Sequence, residues 1–313
     1  MKGRGRAVAL GAGTVLNALA TGVGSAFALD VETEATVELD DSAGVKGEIA
    51  EDADADTRLI ERCVELTVER YGPREQVGGR VRTESEVPMA AGLKSSSAAA
   101  NATVLATLSA LGIDVVERDE PGDHDEIGTG DRDDHDTDDR TAVTRLDACL
   151  LGVEAAREAG VTVTGAFDDA SASMLGGVTV TDNTGDELLS REEPAWDALV
   201  WTPPERAYSA DADVSRCERV APMARLVADL AAERRYAEAM TVNGLAFSAA
   251  LGFPTEPAVE AMPHAAGVSL SGTGPSVVAV GDRSELETVA AMWDERPGTT
   301  RLTTTRSDGA RVL

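Results

Sequence analysis

The eleven residues Pro88-Met-Ala-Ala-Gly-Leu-Lys-Ser-Ser-Ser-Ala98 constrain this chain more than any other stretch. Ahead of them Val81, Thr83, Ser85 and Val87 alternate as a strand over Gly79–Val87, and Pro88 ends it. Behind them an Ala-rich segment, Ser96 to Leu111, sets Val104, Leu105, Leu108 and Leu111 on one helical face. A strand, a glycine turn and three hydroxyls opening a helix make an anion site. The first N–H groups of a helix have no intrahelical partner, and its dipole is positive there. Small residues let the backbone approach a phosphate closely, and serine hydroxyls can bind phosphate oxygens or magnesium. One serine would suffice to cap the helix. Three in a row, beside one of only three lysines (Lys2, Lys46, Lys94), point to a phosphate.

The familiar phosphate loops are excluded. No Gly-Lys dipeptide occurs, so the Walker A pattern fails, and Gly22-x-Gly24 and Gly272-x-Gly274 both lack the third glycine of a dinucleotide fingerprint. The formal charge of −28 disfavours nucleic acid and anionic membranes as partners. Acids spread over the whole length, with Arg replacing Lys, fit adaptation to high salt, where screening weakens self-repulsion. No apolar run approaches the roughly 20 residues of a membrane helix. The basic start, MKGRGRAVALGAG, has too short an apolar stretch for a signal peptide, so a cytoplasmic location is expected. Cys63, Cys149 and Cys217 are too widely spaced for a zinc or disulfide framework.

Along the chain, Arg6–Leu10 reads as a strand entering a Gly-Ala-Gly turn, and Thr14–Ala20 as helical. Ser25–Leu39 reads as one or two strands, and Thr57–Arg70 as a helix. The segment Asp119–Asp139 holds eleven acids and cannot offset its ordering entropy by burial; a solvated, disordered insertion is expected there, carrying His124 and His135. Thr141–Ala159 reads as a helix, Val161–Thr164 and Gly177–Thr181 as strands. A second unit begins at Asp197–Thr202. It continues through helices at Val214–Glu233 and Arg235–Leu251, a strand–glycine loop–strand at Ala266–Val280, a helix at Ser284–Trp293 and a strand at Arg301–Thr305. The order implies two α+β domains, residues 1–195 and 196–313.

The Pro88–Ala98 stretch resembles the second motif of the GHMP kinases, P-x-x-x-G-L-G-S-S-A-A. Ser269-Leu-Ser-Gly-Thr-Gly-Pro-Ser276 resembles their glycine-rich third motif. Gly165-Ala-Phe-Asp-Asp-Ala-Ser-Ala-Ser-Met-Leu-Gly-Gly177 resembles the loop bearing their aspartate, with Asp169 seven residues before Gly176. Lys94 departs from the pattern, standing where most of the family has the second glycine of G-L-G. With that Gly-Leu-Lys form, the opening Gly11–Phe27 segment and the Asp-Asp pair, the chain is similar to the archaeal shikimate kinases within the GHMP superfamily.

The resemblance implies an N-terminal domain with a left-handed β-α-β crossover and a ferredoxin-like C-terminal domain. It implies transfer of the γ-phosphoryl of ATP to the 3-hydroxyl of shikimate, with Mg2+ as cofactor. Pro88, Ala90, Ala91, Gly92, Leu93, Lys94, Ser95, Ser96, Ser97 and Ala98 would hold the triphosphate, with Gly272 and Gly274 beside them. Lys94 would offset charge developing in transfer. Ser96 would reach magnesium, and of Glu154 and Glu158, which share a helix face, Glu158 is preferred as the second ligand. Asp169 would take or orient the hydroxyl proton, one of Asp168 and Asp169 being expected only to cap a helix. Thr14 and Asn17 are candidates for substrate hydroxyls, or else turn and helix-surface residues. Homoserine kinase, or another GHMP kinase, is the alternative on the same scaffold. Oligomeric state and the arginine that would meet the substrate carboxylate are not legible.

Overall fold

A computed structural model describes residues 3–73, 78–116, 143–162, 165–207 and 212–313; the acidic Asp119–Asp139 segment, expected to be a disordered insertion, lies wholly outside them. The chain opens with two long antiparallel strands, β1 (Gly3–Leu16) and β2 (Val23–Asp40), joined through a single 3₁₀ turn at Ala18–Ala20. The strand expected to stop before a Gly-Ala-Gly turn therefore continues to Leu16, and the helix expected over Thr14–Ala20 is absent. The glycines serve close approach rather than a turn. A Cβ on Gly13 would come within 2.4 Å of the Phe27 ring, and one on Gly11 within 2.7 Å of Val31.

Next come β3 (Val45–Ile49), α1 (Arg58–Tyr71) and β4 (Gly78–Ser85), with β3 and β4 paired in parallel, so that α1 is a β-α-β crossover. Helix α2 (Ser95–Leu111) follows, then the two-residue parallel strands β5 (Val115–Val116) and β6 (Val143–Thr144), and α3 (Arg145–Glu158). Thr144 and Asp147 form a reciprocal capping box, which starts α3 four residues later than the sequence pattern suggests. Val161 and Thr162, expected in a strand, have no strand geometry; the next two residues lie outside the description. The segment read as the aspartate loop contains helix α4 (Phe167–Leu175), followed by β7 (Val178–Asp182) and β8 (Glu187–Glu192).

The second sheet begins at β9 (Asp197–Thr202). A 3₁₀ segment, Val214–Val220, precedes α5 (Ala221–Ala232), dividing what the sequence suggests is one helix; Pro222 fits the first turn of α5, where an N–H has no partner. Then follow α6 (Tyr236–Leu251), α7 (Glu256–Ala261), β10 (Gly267–Leu270), β11 (Val277–Gly281), α8 (Arg283–Trp293) and β12 (Thr299–Thr304). The antiparallel order β10-β11-β9-β12 puts the third and fourth strands of this unit on either side of its first, the split arrangement of a ferredoxin-like fold. The chain then returns, and β13 (Arg311–Val312) pairs with β1 in the first sheet, whose order is β13-β1-β2-β4-β3 with β7 and β8 branching from β2.

Helices α1 to α4 bury one face of the first sheet in a core that includes Val37, Val81, Val104, Leu105, Leu108 and Leu151. The expected one-sided α2 is instead buried on nearly all sides, because β1, α1, α3 and α4 surround it. A second core joins Leu16, Phe27 and Leu29 to Tyr236, Met240 and Phe247 of the C-terminal unit. The two sheets thus share a core, and the cleft lies where α2, α4, β1 and the β10–β11 loop converge.

Candidate active site

Helix α2 starts without a side-chain cap. Lys94 precedes it in the left-handed conformation (φ 64°), and the first helical hydrogen bond is donated by Ala98 N–H to Lys94 C=O. The amides of Ser95, Ser96 and Ser97 therefore lack helical partners. Their hydroxyls form no hydrogen bond to protein among the described residues. A left-handed backbone at position 94 explains why a glycine would be at ease there, and why a lysine in its place must supply something the glycine cannot.

That something is a charge. The Lys94 ammonium lies 2.7 Å from Oδ1 of Asp169, both side chains largely buried, at 6% and 18% exposed. The pair is close in distance but lacks hydrogen-bond alignment at Oδ1. Both residues line a cleft of ≈ 540 Å³ together with Thr14, Asn17, Ala90, Gly92, Ser95, Ser96, Asp168 and Gly272.

The glycine loop between β10 and β11 is packed directly on the phosphate loop. A Cβ on Gly92 would lie 2.2 Å from the Ser271 carbonyl, and one on Gly272 would lie 2.8 Å from the Lys94 ammonium. Ser271 Oγ donates to the Gly92 carbonyl at 2.8 Å, and Ser276 N–H to the Ala91 carbonyl at 3.2 Å. Gly274, by contrast, faces Phe253, so its role is to pack the loop rather than to line the cleft. Thr14 Oγ1 accepts from Gly272 N–H and Asn17 Nδ2 donates to Gly272 C=O, each at 2.8 Å. Asn17 Oδ1 also accepts from Leu19 N–H, so its amide group is engaged at both ends within the protein. Asn243 on α6, which gave no signal in the sequence, accepts from Asn17 N–H and donates to Ser269 Oγ, tying the residue after β1 to strand β10. Thr14 retains a hydroxyl proton to donate; Asn17 is a brace.

The structure sorts the remaining expected residues. Pro88 and Ala91 line an adjoining hollow of ≈ 270 Å³, and Leu93 and Ala98 are buried in the cores beneath the loop. Ser97 is buried beside the cleft rather than lining it. Glu158 is corrected: it ion-pairs with Arg62 Nε on the outer face of α3, and Glu154 likewise pairs with Arg70 at 3.2 Å. Their shared helix face, read as pointing to a metal, points to α1.

Asp168 and Asp169 occupy the first turn of α4, whose cap position is Ala166, also left-handed (φ 54°). Neither carboxylate is the cap, contrary to expectation. Asp168 is buried, at 5% exposed, with Asn183 Nδ2 donating to its Oδ1 at 2.7 Å. Burial pushes its carboxyl up to about 7; the Asp169 charge adds to this, while Lys94 and the Asn183 hydrogen bond oppose it. Among the described residues no group of three or more acids, histidines or cysteines is arranged for a metal, and no helix is long and apolar enough to cross a membrane.

Residues 58–120 match the family model for the GHMP kinases N terminal domain. The chain is 64% identical to a shikimate kinase of Halobacterium salinarum, over 98% of this chain and 99% of that one. It is 45% identical to a shikimate kinase of Methanosarcina mazei, over 93% and 89% of the two chains. Among solved structures it is similar to a homoserine kinase from Cytophaga hutchinsonii, with a TM-score of 0.73 at 16% identity over 100% of this chain and 98% of that one. It is similar also to the Methanococcus jannaschii mevalonate kinase, with a TM-score of 0.66 at 12% identity over 97% and 98%.

Proposed function

The chain belongs to the archaeal shikimate kinases of the GHMP superfamily, and on that premise we propose how its cleft moves the γ-phosphoryl group of ATP to the 3-hydroxyl of shikimate. One observation carries the reading: the unpaired amides at the start of α2, the hydroxyls of Ser95 and Ser96 and the Lys94–Asp169 pair converge on a single cleft.

The start of α2 receives the triphosphate, with Ala90, Gly92, Ser95 and Ser96 lining its path. Gly92 and Gly272 keep side chains out of that path, since a Cβ at either would strike the opposite loop or Lys94. Asp169 accepts the proton of the 3-hydroxyl as its oxygen bonds to the γ-phosphorus and the bond to ADP breaks; the proton then passes to solvent. In the free protein the charge of Asp169 is balanced by Lys94 at 2.7 Å. Bound phosphates would compete for that ammonium, loosening the pair just when Asp169 must act as a base and Lys94 must offset charge on the transferring group. A magnesium ion would lower the charge of the triphosphate. Among the oxygen-bearing residues that line the cleft, Ser96 and Asp169 would hold it, and the buried, unaligned Oδ1 of Asp169 fits such a role.

ADP release with shikimate, homoserine, mevalonate or no acceptor tests the reading. Shikimate should stimulate release far above the others; equal or greater turnover with homoserine would overturn it.

A further inference from the structure

The hydroxyl that is phosphorylated accounts for Asp169 but not for Asp168, and Asp168 is the more elaborately held of the two. Asn183 both donates to its Oδ1 at 2.7 Å and accepts from its backbone N–H at 3.2 Å. Thr181 Oγ1 in turn donates to Asn183 Oδ1 at 2.7 Å, fixing the amide so that its NH₂ faces the carboxylate. The Gly22-x-Gly24 segment, unclaimed by the phosphate chemistry, builds the other wall. A Cβ on Gly24 would lie 2.5 Å from Asp168 Oδ2, and one on Gly22 would lie 2.7 Å from Thr184 Oγ1. The Gly22 carbonyl accepts from Asn183 N–H at 2.9 Å, so this segment grips the turn that carries Asn183. Burying a carboxylate this thoroughly is costly unless it is matched. Here one oxygen is matched by Asn183, while Oδ2 has no side-chain partner among the described residues, and the residue lines the cleft.

Resting on the reading above, we propose that Asp168 is the specificity-determining residue that receives a second ring hydroxyl of the acceptor, at C4 or C5, while Asp169 acts on the one at C3. The arrangement suits a polyol. Adjacent residues in the first turn of one helix give two carboxylates side by side, and one of them is kept from swinging by Asn183 and Gly24. An acceptor with a single hydroxyl would leave Asp168 Oδ2 without a side-chain partner, which is a device for rejecting it.

The experiment compares shikimate with its 4-deoxy and 5-deoxy analogues, each of which keeps the 3-hydroxyl, on the wild type and on Asp168→Asn. The wild type should prefer shikimate over one analogue by about 10- to 100-fold in kcat/KM, the range for a hydrogen bond to a charged acceptor. Asp168→Asn should lose most of that preference at the same position, with the KM for ATP within about twofold. A merely structural role would lower turnover of all three acceptors alike, and that result would overturn the proposal. So would a variant that keeps the wild-type preference. Should Asp168→Asn fail to fold, the wild type alone still decides: equal efficiency with all three acceptors sinks the proposal while leaving shikimate kinase activity intact. No release with shikimate itself would sink both.

Discussion

Helices α2 and α4 both point their N-termini at the cleft, and both are entered through a left-handed residue with no side-chain cap, Lys94 at φ 64° and Ala166 at φ 54°. What each then presents is opposite. The first turn of α2 holds no acid and leaves amides and hydroxyls open for an anion from outside; the first turn of α4 holds Asp168 and Asp169. The same positive dipole end thus serves an external phosphate in one case and the chain's own carboxylates in the other. Lys94 is the exchange point between them, since it grows from the phosphate helix and pairs with the acceptor-side acid. A kinase must bring a polyanion to a hydroxyl that has to lose a proton. Placing the base on one helix and its counter-charge on the other links those two events.

The largest effect should come from the acceptor side. Asp169→Asn keeps the shape and removes proton acceptance, so turnover should fall roughly 10²–10⁴-fold with ATP binding little changed. A loss divided equally between ATP affinity and turnover would break the division of labour between the helices. Full activity would mean that positioning and metal alone carry the reaction.

Asp168 should show its cost in stability. An ordinary aspartate ionises near ~3.9, whereas this one is raised to about 7. Below both values the group is protonated in folded and unfolded chains and costs nothing. Between them the unfolded chain ionises first, so stability is lost as pH rises, and above the folded value the whole penalty applies. Asp168→Asn has no proton to lose. Its stability relative to wild type should therefore improve from pH 4 to pH 8, by up to about 4 kcal/mol. Denaturant unfolding in molar KCl measures this; a pH-independent difference would show that Asp168 is not under strain.

Sequence and structure diverge along this same line. The phosphate helix was legible because its signal is local: Pro88, Gly92 and three serines stand within one short stretch. The second sheet was legible from element order, and its strand pairing follows the ferredoxin-like plan. The acceptor side depends on contacts distant in sequence, such as Asn183 to Asp168 and Gly24 to the same carboxylate, which no spacing rule reveals. Gly11 and Gly13 suggested a turn because glycine marks both turns and close packing, and only the neighbouring Val31 and Phe27 decide which. Thr14 and Asn17 line the cleft, but their partner, Gly272, lies about 250 residues on, so the bracing role of Asn17 was invisible.

Lys94 sharpens the comparison from the phosphate side. Lys94→Met should weaken ATP binding and turnover together, by about 10- to 100-fold, the worth of a charge-assisted contact. Lys94→Gly removes the same ammonium but suits the left-handed backbone, so it should match Lys94→Met in activity while melting at a higher temperature. If the glycine variant were as active as wild type, the ammonium would be dispensable and the serine-lined helix would suffice.

The smallest effect tests where the cleft ends. Glu158 stands on α3, which follows the phosphate helix in sequence, and helical spacing alone would let it serve as a metal ligand. Its carboxylate is instead held by Arg62, which also reaches Glu65 at 3.2 Å and Glu69 at 3.0 Å, an exposed cluster joining α1 to α3. Glu158→Gln should therefore leave kcat/KM for shikimate and the magnesium concentration for half-maximal activity within about twofold. Its cost should be a few tenths of a kcal/mol of stability, as for a partly exposed ion pair, and smaller still in molar salt. A tenfold rise in the magnesium requirement would mean that α3 turns toward the cleft when substrates bind, and that Asp169 and Ser96 do not hold the cation by themselves.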